Sequence, residues 1–169
     1  MTSPAFCIYD GSNFNINYLV ARDRDVVLGR ETSKTLNPKI YPKYNTETDR
    51  YSRLASWVID ELTWCHRPKN IVIENYAYAA TGRVFNIGEN TGILKYKLFQ
   101  NHMMFETVVP GTVKKFATGK GNSPKVDMLA AFVEDTGIEL GKIKQWSDIA
   151  DAYWIAKWYY QTIHQTNNT

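Results

Sequence analysis

Short apolar runs bounded by turn-forming residues alternate along this chain with stretches of helical spacing. The first run, Ala5–Tyr9, ends abruptly in the turn-forming residues Asp10–Asn13 and predicts a buried strand that stops at a loop. Asn15–Val20 alternates in part, and Val26–Leu28 is apolar after a charged break, so each predicts a further strand. Together the three runs predict an antiparallel meander.

A proline-containing loop and a capped helix are predicted to follow the meander. Thr35–Asn45 shows no period and predicts a loop, whose lysines and tyrosines either contact a nucleic-acid backbone or are simply solvated. Thr46 and Asp49 have the spacing of a capping box, and apolar residues at helical spacing continue until Pro68.

The next apolar run, Ile71–Ile73, ends in a second carboxylate, Glu74. A strand reached from a meander through a helix is expected to pair in parallel, so we expect this run beside the first strand. Asp10 and Glu74 would then lie at the same edge of the sheet. Taken alone, Asp10 is more typical of a turn cap than of a ligand or an acid–base group.

The second half of the chain predicts a long helix and a fifth strand. The helix, Arg83–Asn101, contains Gly88 and Gly92 one turn apart, which indicates a close approach by another backbone, within the chain or at a dimer seam. Phe105–Val109 predicts the last strand.

Two further helices complete the predicted fold. Ser123 and Pro124 predict the start of a helix that Gly137 ends, and Ser147 predicts the cap of a final helix to about Gln165. The predicted fold class is α/β, with a five-stranded mixed sheet of three antiparallel and two parallel strands flanked by helices. A chain of 169 residues fits a single domain, residues 1–169.

The densest positive charge lies between the last strand and the next helix. Thr112–Lys125 contains Lys114, Lys115, Lys120 and Lys125, and predicts a basic loop that is either solvated or in contact with phosphates. Its spacing does not match the GxxxxGK[ST] pattern of a Walker loop, so nucleotide triphosphate binding has no support.

Composition narrows the class of protein further. A net charge of +3 permits an anionic partner without demanding one. Two cysteines without CxxC spacing predict free thiols in a reducing compartment, and three scattered histidines argue against a zinc site. With no signal-peptide pattern and no apolar run of membrane-spanning length, we expect a cytoplasmic protein without a membrane partner.

Two further carboxylates, Asp148 and Asp151, share a face in the first turn of the predicted last helix. They either stabilise the helix dipole or join Asp10 and Glu74 in a four-acid cluster. Oxygen ligands of this kind suit Mg²⁺ or Mn²⁺, and a pair of such ions supports phosphodiester hydrolysis.

The order of predicted elements is that of the ribonuclease H-like fold. The sequence resembles the RuvC family of Holliday junction resolvases, which belongs to the retroviral integrase superfamily, along nearly its full length, as a divergent, phage-type member would. Four motifs in the family's order carry this resemblance: Ile8-Tyr9-Asp10-Gly11-Ser12, Val72-Ile73-Glu74, Val113-Lys114 through Gly119-Lys120-Gly121 to Lys125, and Asp148-Ile149-Ala150-Asp151-Ala152.

The resemblance implies a homodimeric endonuclease that cuts symmetric strands of four-way DNA junctions with two Mg²⁺ ions per site, Mn²⁺ being able to substitute. The metal ligands it implies are Asp10, Glu74, Asp148 and Asp151. The lysines it implies at the scissile strand are Lys114 and Lys125. Lys115 and Lys120 have no firm counterpart in the family, and we expect them to contact the DNA backbone only. Tyr76 and Tyr78 are further expected DNA contacts.

Two departures from the family pattern keep other functions open. Gly11 follows Asp10 directly where the family has Asp-Pro-Gly, and Ala77 occupies the place of the family's junction-centre aromatic residue, with Tyr76 and Tyr78 flanking it. The alternatives are a relaxed nuclease acting on flaps and forks, a ribonuclease acting on RNA–DNA hybrids, and a non-catalytic junction-binding protein.

Overall fold

The structure is a computed structural model that describes residues 4–75 and 84–164. It divides into two compact units, one formed by Met1–Tyr41 with Pro110–Thr169 and the other by Pro42–Val109. Organisation of residues 1–169 as one domain stays a prediction.

The predicted α/β class is confirmed by the observed elements. The strands are β1 (Ala5–Tyr9), β2 (Phe14–Val20), β3 (Leu36–Ile40), β4 (Val72–Glu74) and β5 (Glu106–Val108). The α-helices are α1 (Asp23–Thr32), α2 (Glu47–Asp60), α3 (Val84–Gln100), α4 (Pro110–Thr118), α5 (Lys125–Thr136) and α6 (Trp146–Tyr159). Two π-helical turns, Glu61–His66 and Tyr160–His164, continue α2 and α6.

The sheet of the first unit has the order β1-β2-β3. β1 and β2 form the predicted antiparallel hairpin, with Tyr9 opposite Phe14. β3 is parallel to β2, and Val26–Leu28 lies in α1, so the prediction of a three-stranded antiparallel meander was wrong. The prediction of a loop over Thr35–Asn45 was wrong at its start, which forms β3.

The charged break before Val26 begins a helix because its side chains pair locally. The Arg22 guanidinium donates two hydrogen bonds of 2.9 Å to the Asp25 carboxylate. Asp23 and Asp25 also lie in the first turn of α1, where the helix dipole favours acids. α1 is therefore the crossover that a parallel connection from β2 to β3 requires.

Gly29 lets α1 lie close to the sheet. It is buried, and a Cβ added there would come 2.2 Å from the Tyr18 hydroxyl and 2.8 Å from Pro38 Cγ. Because real Cβ atoms do not approach other atoms so closely, a larger residue at this position would push the helix away from β2 and β3.

The second unit contains a separate sheet. β4 pairs in parallel with β5, and Glu74 lies opposite Val108. The described strands thus form one three-stranded and one two-stranded sheet, and the prediction of a single five-stranded sheet was wrong. The two short apolar runs that flank α3 pair with each other, because that helix supplies their crossover.

α2 confirms the predicted cap and apolar face. The Thr46 side chain accepts a hydrogen bond from the Asp49 N–H at 3.1 Å. Tyr51, Leu54 and Ala55 are buried, and α2 packs against α3.

The prediction of a basic loop over Thr112–Lys125 was wrong in its first half, which belongs to α4. Pro110 opens this helix, where a missing N–H costs nothing, and Val113 is buried on its inner side. Gly137 ends α5 with a φ of 71°, as predicted. Ser123 makes no side-chain cap; its hydroxyl is 2.6 Å from that of Thr118.

α6 packs against β1, α4 and α5, and its inner side supplies much of the core of the first unit. Buried residues there include Ile149, Ala150, Tyr153 and Trp154. No helix in the described ranges combines the length and apolar character needed to cross a membrane.

Substituting Gly29→Ala is expected to destabilise the protein by about 1–3 kcal/mol, because the added methyl group overpacks the contact with Tyr18 and Pro38. Val27→Ala on the same helix, at a side chain that is 54% exposed, is the matched control and should change stability by no more than about 0.5 kcal/mol. Urea unfolding measures both, and equal effects of the two substitutions would contradict the close-packing explanation.

Candidate functional site

Asp10 directly follows β1 and closes a tight turn with its own side chain. Its Oδ1 accepts hydrogen bonds from the N–H groups of Asn13 at 2.7 Å and Ser12 at 2.9 Å. Its Oδ2 accepts one from the Asn13 side-chain amide at 3.2 Å. These bonds, the Asn13 N–H first, lower the pKa of Asp10 to about 2. Asp10 is therefore an ionised, exposed and locally ordered carboxylate, as expected of a turn cap.

Asp148 and Asp151 lie one turn apart at the start of α6, and both are partly buried. The two residues between them, Ile149 and Ala150, are fully buried and fix the rotation of the helix. As i and i+3 positions, the two acids lie on the same side of α6.

Asp151 has an environment opposite to that of Asp10. Burial raises the pKa of Asp151, and the charges of Lys125 and Lys114 oppose this rise without cancelling it. Lys125 Nζ lies 3.9 Å from Asp151 Oδ2 and donates a hydrogen bond of 3.2 Å to Ser147 Oγ. Asp151 is thus a desolvated carboxylate whose negative charge is only partly compensated.

Ser147 is a member of this group that sequence reasoning missed. It was predicted to cap the last helix, but α6 begins at Trp146 and Ser147 bonds to Lys125 instead. Ser147 and Asp151 are four residues apart, the spacing that places two side chains next to each other on a helix. That spacing could have indicated their association.

The packing of α4 and α5 on α6 sets where the lysines lie. The Phe116 ring meets the Trp154 ring edge to face at a centroid distance of 6.0 Å. Trp154 in turn donates from Nε1 to the Met128 carbonyl at 3.2 Å. Lys114 and Lys125 are carried by these two packed helices, near the start of α6.

The other two lysines predicted to contact DNA are exposed to solvent. Lys115 is exposed on α4, and Lys120 is exposed in the loop between α4 and α5. Tyr76 and Tyr78 lie outside the described residues.

Glu74 lies in the second unit, at the exposed end of β4, where the following Asn75 N–H donates to the Val108 carbonyl at 2.7 Å. Across residues 4–75 and 84–164, no group of three or more aspartate, glutamate, histidine or cysteine side chains is close enough to hold a metal ion. The Asp10 turn and the contact of Asp151 with Lys125 are the two arrangements at these acids that the following predictions use.

Comparison with known proteins identifies the fold. No family model matches the sequence. The fold is the ribonuclease H-like fold of RuvC, which confirms the predicted resemblance at the level of the fold. A structure of Thermus thermophilus RuvC matches with a TM-score of 0.57 and 14% identity, over 93% of this chain and 86% of that one. T. thermophilus RuvC in complex with a Holliday junction substrate matches with a TM-score of 0.60 and 14% identity, over 92% and 85% of the two chains.

Asp151→Asn is expected to stabilise the metal-free protein at pH 7. Because the folded-state pKa of Asp151 lies above its unfolded value, ionisation in the folded protein costs stability as the pH rises between the two values. The gain from asparagine should therefore vanish below the ordinary aspartate pKa of about 3.9. Thermal unfolding in EDTA across this pH range measures it.

Asp10→Asn is the matched control, with the opposite sign. The pKa of Asp10 is lowered to about 2, so its stabilisation is present above the unfolded pKa and is lost as the pH falls through about 2. This substitution should lower stability at pH 7. The same sign for both variants would contradict the two environments described here.

Proposed function

We propose that this protein is a Mg²⁺-dependent endonuclease that resolves four-way DNA junctions by paired symmetric nicks. The observation that carries the proposal is the approach of Lys125 and Lys114 to the partly buried Asp151, on the helix that packs against the strand ending at Asp10. A RuvC fold neighbour that was solved with a Holliday junction substrate supports the substrate class.

The proposed metal ligands are Asp10, Glu74, Asp148 and Asp151. All are carboxylates, the ligand type that Mg²⁺ and Mn²⁺ prefer. The desolvated Asp151 fits a cation best, because a divalent ion would relieve the cost of its buried charge. Two bound ions would activate a water molecule and stabilise the departing 3′ oxygen. The proposal requires metal and substrate to bring at least three of these carboxylates together.

The lysines are proposed to act on the DNA phosphates. Lys125, held by Ser147, and Lys114 would neutralise the charge that builds on the scissile phosphate. The exposed Lys115 and Lys120 would contact the backbone of the same strand without reading its sequence.

We propose α3 as the homodimer interface. Its exposed side includes Phe85, Tyr96 and Phe99. Gly92 falls on the same helical stripe, and a Cβ added to it would meet no described atom within 4 Å beyond the adjoining backbone. We propose that a second copy approaches α3 closely at this glycine.

A non-catalytic junction-binding protein is the second candidate. The specific observation in its favour is that the described residues gather no three potential metal ligands. In this case the lysines would bind DNA as proposed, and no cleavage would follow.

The deciding experiment compares a four-way junction, a flap, an RNA–DNA hybrid and a linear duplex as substrates in Mg²⁺, Mn²⁺ and EDTA, with every nick mapped. Paired symmetric nicks on the junction that disappear in EDTA would support the resolvase. Cutting of flaps at equal rates would favour a relaxed nuclease, and cutting of the hybrid alone a ribonuclease. Binding without cutting under every metal would overturn the enzymatic proposal.

Asp148→Asn is expected to reduce junction cleavage by roughly 100-fold or more while leaving junction binding intact, because it removes a proposed ligand and no basic side chain. Asp127→Asn, at an exposed acid in the first turn of α5, is the control and should cleave normally. Single-turnover cleavage and gel-shift titrations measure the two properties. Near-normal cleavage by Asp148→Asn would remove this residue from the site.

Phe99→Glu is expected to weaken self-association at least about 10-fold, because it replaces a large exposed aromatic side chain of the proposed α3 interface by a charge. Met104→Glu, at a side chain that is 87% exposed and beyond the end of α3, is the control and should leave association unchanged. Analytical ultracentrifugation measures both variants. A wild-type protein that is monomeric at every concentration would contradict the dimer.

A further inference from the structure

Two tyrosines contact the turn that carries Asp10. The Tyr9 hydroxyl donates a hydrogen bond of 3.1 Å to the Gly11 carbonyl. Tyr160, just beyond α6, packs so closely that a Cβ added to Gly11 would lie 2.5 Å from its ring. Gly11 also has a φ of 104°, a conformation that other residues rarely adopt.

We infer that Tyr9 and Tyr160 are positioning residues that fix the direction of the Asp10 carboxylate toward the proposed metal. The inference rests on the proposed function. The Asp10 turn has no proline to make it rigid, and Tyr9 and Tyr160 take over that role.

The mechanism follows from the planarity of one peptide group. The Gly11 carbonyl and the Ser12 N–H belong to the same rigid peptide unit. The Tyr9 hydroxyl donates to the Gly11 carbonyl oxygen of this unit, and the Ser12 N–H of the same unit donates to Asp10 Oδ1 at 2.9 Å. Fixing one end of the unit therefore fixes the other, and the carboxylate is oriented through it. The hydroxyl of Tyr9, the last residue of β1, thus orients the Asp10 carboxylate through this peptide unit and not by a direct hydrogen bond.

The tyrosines are themselves anchored by aromatic packing. The Tyr9 ring meets the rings of Tyr160 and Tyr153 edge to face, at centroid distances of 5.4 and 6.2 Å. These contacts are made by the rings alone: the Tyr153 hydroxyl donates to the Asp135 carboxylate, and Lys157 Nζ lies 2.6 Å from the same carboxylate. Because the Tyr153 ring lies on α6, ring packing ties the Asp10 turn to the helix that carries Asp148 and Asp151.

The test removes one hydroxyl at a time from this aromatic cluster. Tyr9→Phe keeps the ring and loses only the bond to Gly11, whereas Tyr153→Phe loses a hydroxyl bonded to Asp135, away from the turn. Amide hydrogen exchange at Ser12 and Asn13 is measured in EDTA, and Mn²⁺ binding is measured by calorimetry. Neither readout depends on cleavage.

Tyr9→Phe should accelerate exchange at both amides about fivefold and weaken Mn²⁺ binding by a similar factor, while Tyr153→Phe leaves exchange within about twofold of wild type. Gly11→Ala, which drives a methyl group into Tyr160, should change both readouts in the same direction. Exchange in Tyr9→Phe that equals wild type or Tyr153→Phe would overturn the inference. Accelerated exchange in Tyr9→Phe, in a protein whose wild type binds no Mn²⁺, would support the turn contact and overturn the metal site.

Discussion

The packing of α6 against β1 is the constraint on which the rest of the first unit depends. Tyr153 forms its centre, meeting Tyr9, Phe14 and Phe132 edge to face. Such pairs are worth about 0.5–1.5 kcal/mol each beyond the area they bury. Because β1 ends at the Asp10 turn and α6 begins with its pair of acids, this contact sets the distance between two parts of the candidate site. α4 and α5 then dock on α6 and bring the lysines to the same end.

The two carboxylates that the structure describes in most detail are prepared in opposite ways. Asp10 is exposed but satisfied by its own turn, which lowers its pKa. Asp151 is partly buried and only partly compensated by lysines, which leaves its pKa raised. The first geometry supplies a fixed, permanently charged oxygen, and the second supplies one that gains most from a cation. A site with both carboxylates has one negative charge fixed in position before a ligand arrives, and a second that is only partly compensated until a cation binds.

Sequence reasoning predicted what depends on local pattern. The strand Ala5–Tyr9, the cap at Thr46 and the end of α5 at Gly137 were correct, because apolar spacing and turn chemistry decide them. Val26–Leu28 was misassigned because the start of its helix depends on the pairing of the Arg22 and Asp25 side chains. The strand β3 was missed because its sequence has no strand pattern and forms a strand only by pairing with β2. The role of Ser147 depends on a lysine from another helix, which no single-segment pattern contains. The resemblance to RuvC is confirmed for the fold, and the ligand roles of the four acids stay predictions.

The first unit is discontinuous in sequence, because its two segments, Met1–Tyr41 and Pro110–Thr169, come before and after the second unit along the chain. Tyr9 and Tyr153 therefore meet only after the whole second unit has been synthesised, and their large separation in sequence makes their contact slow to form. On the ribosome, the hairpin of β1 and β2 emerges early, and the part of it that α6 covers stays exposed until α6 has been made. The second unit, by contrast, is continuous in sequence and can fold as soon as it emerges. The order of synthesis thus delays assembly of the Asp10 turn against α6.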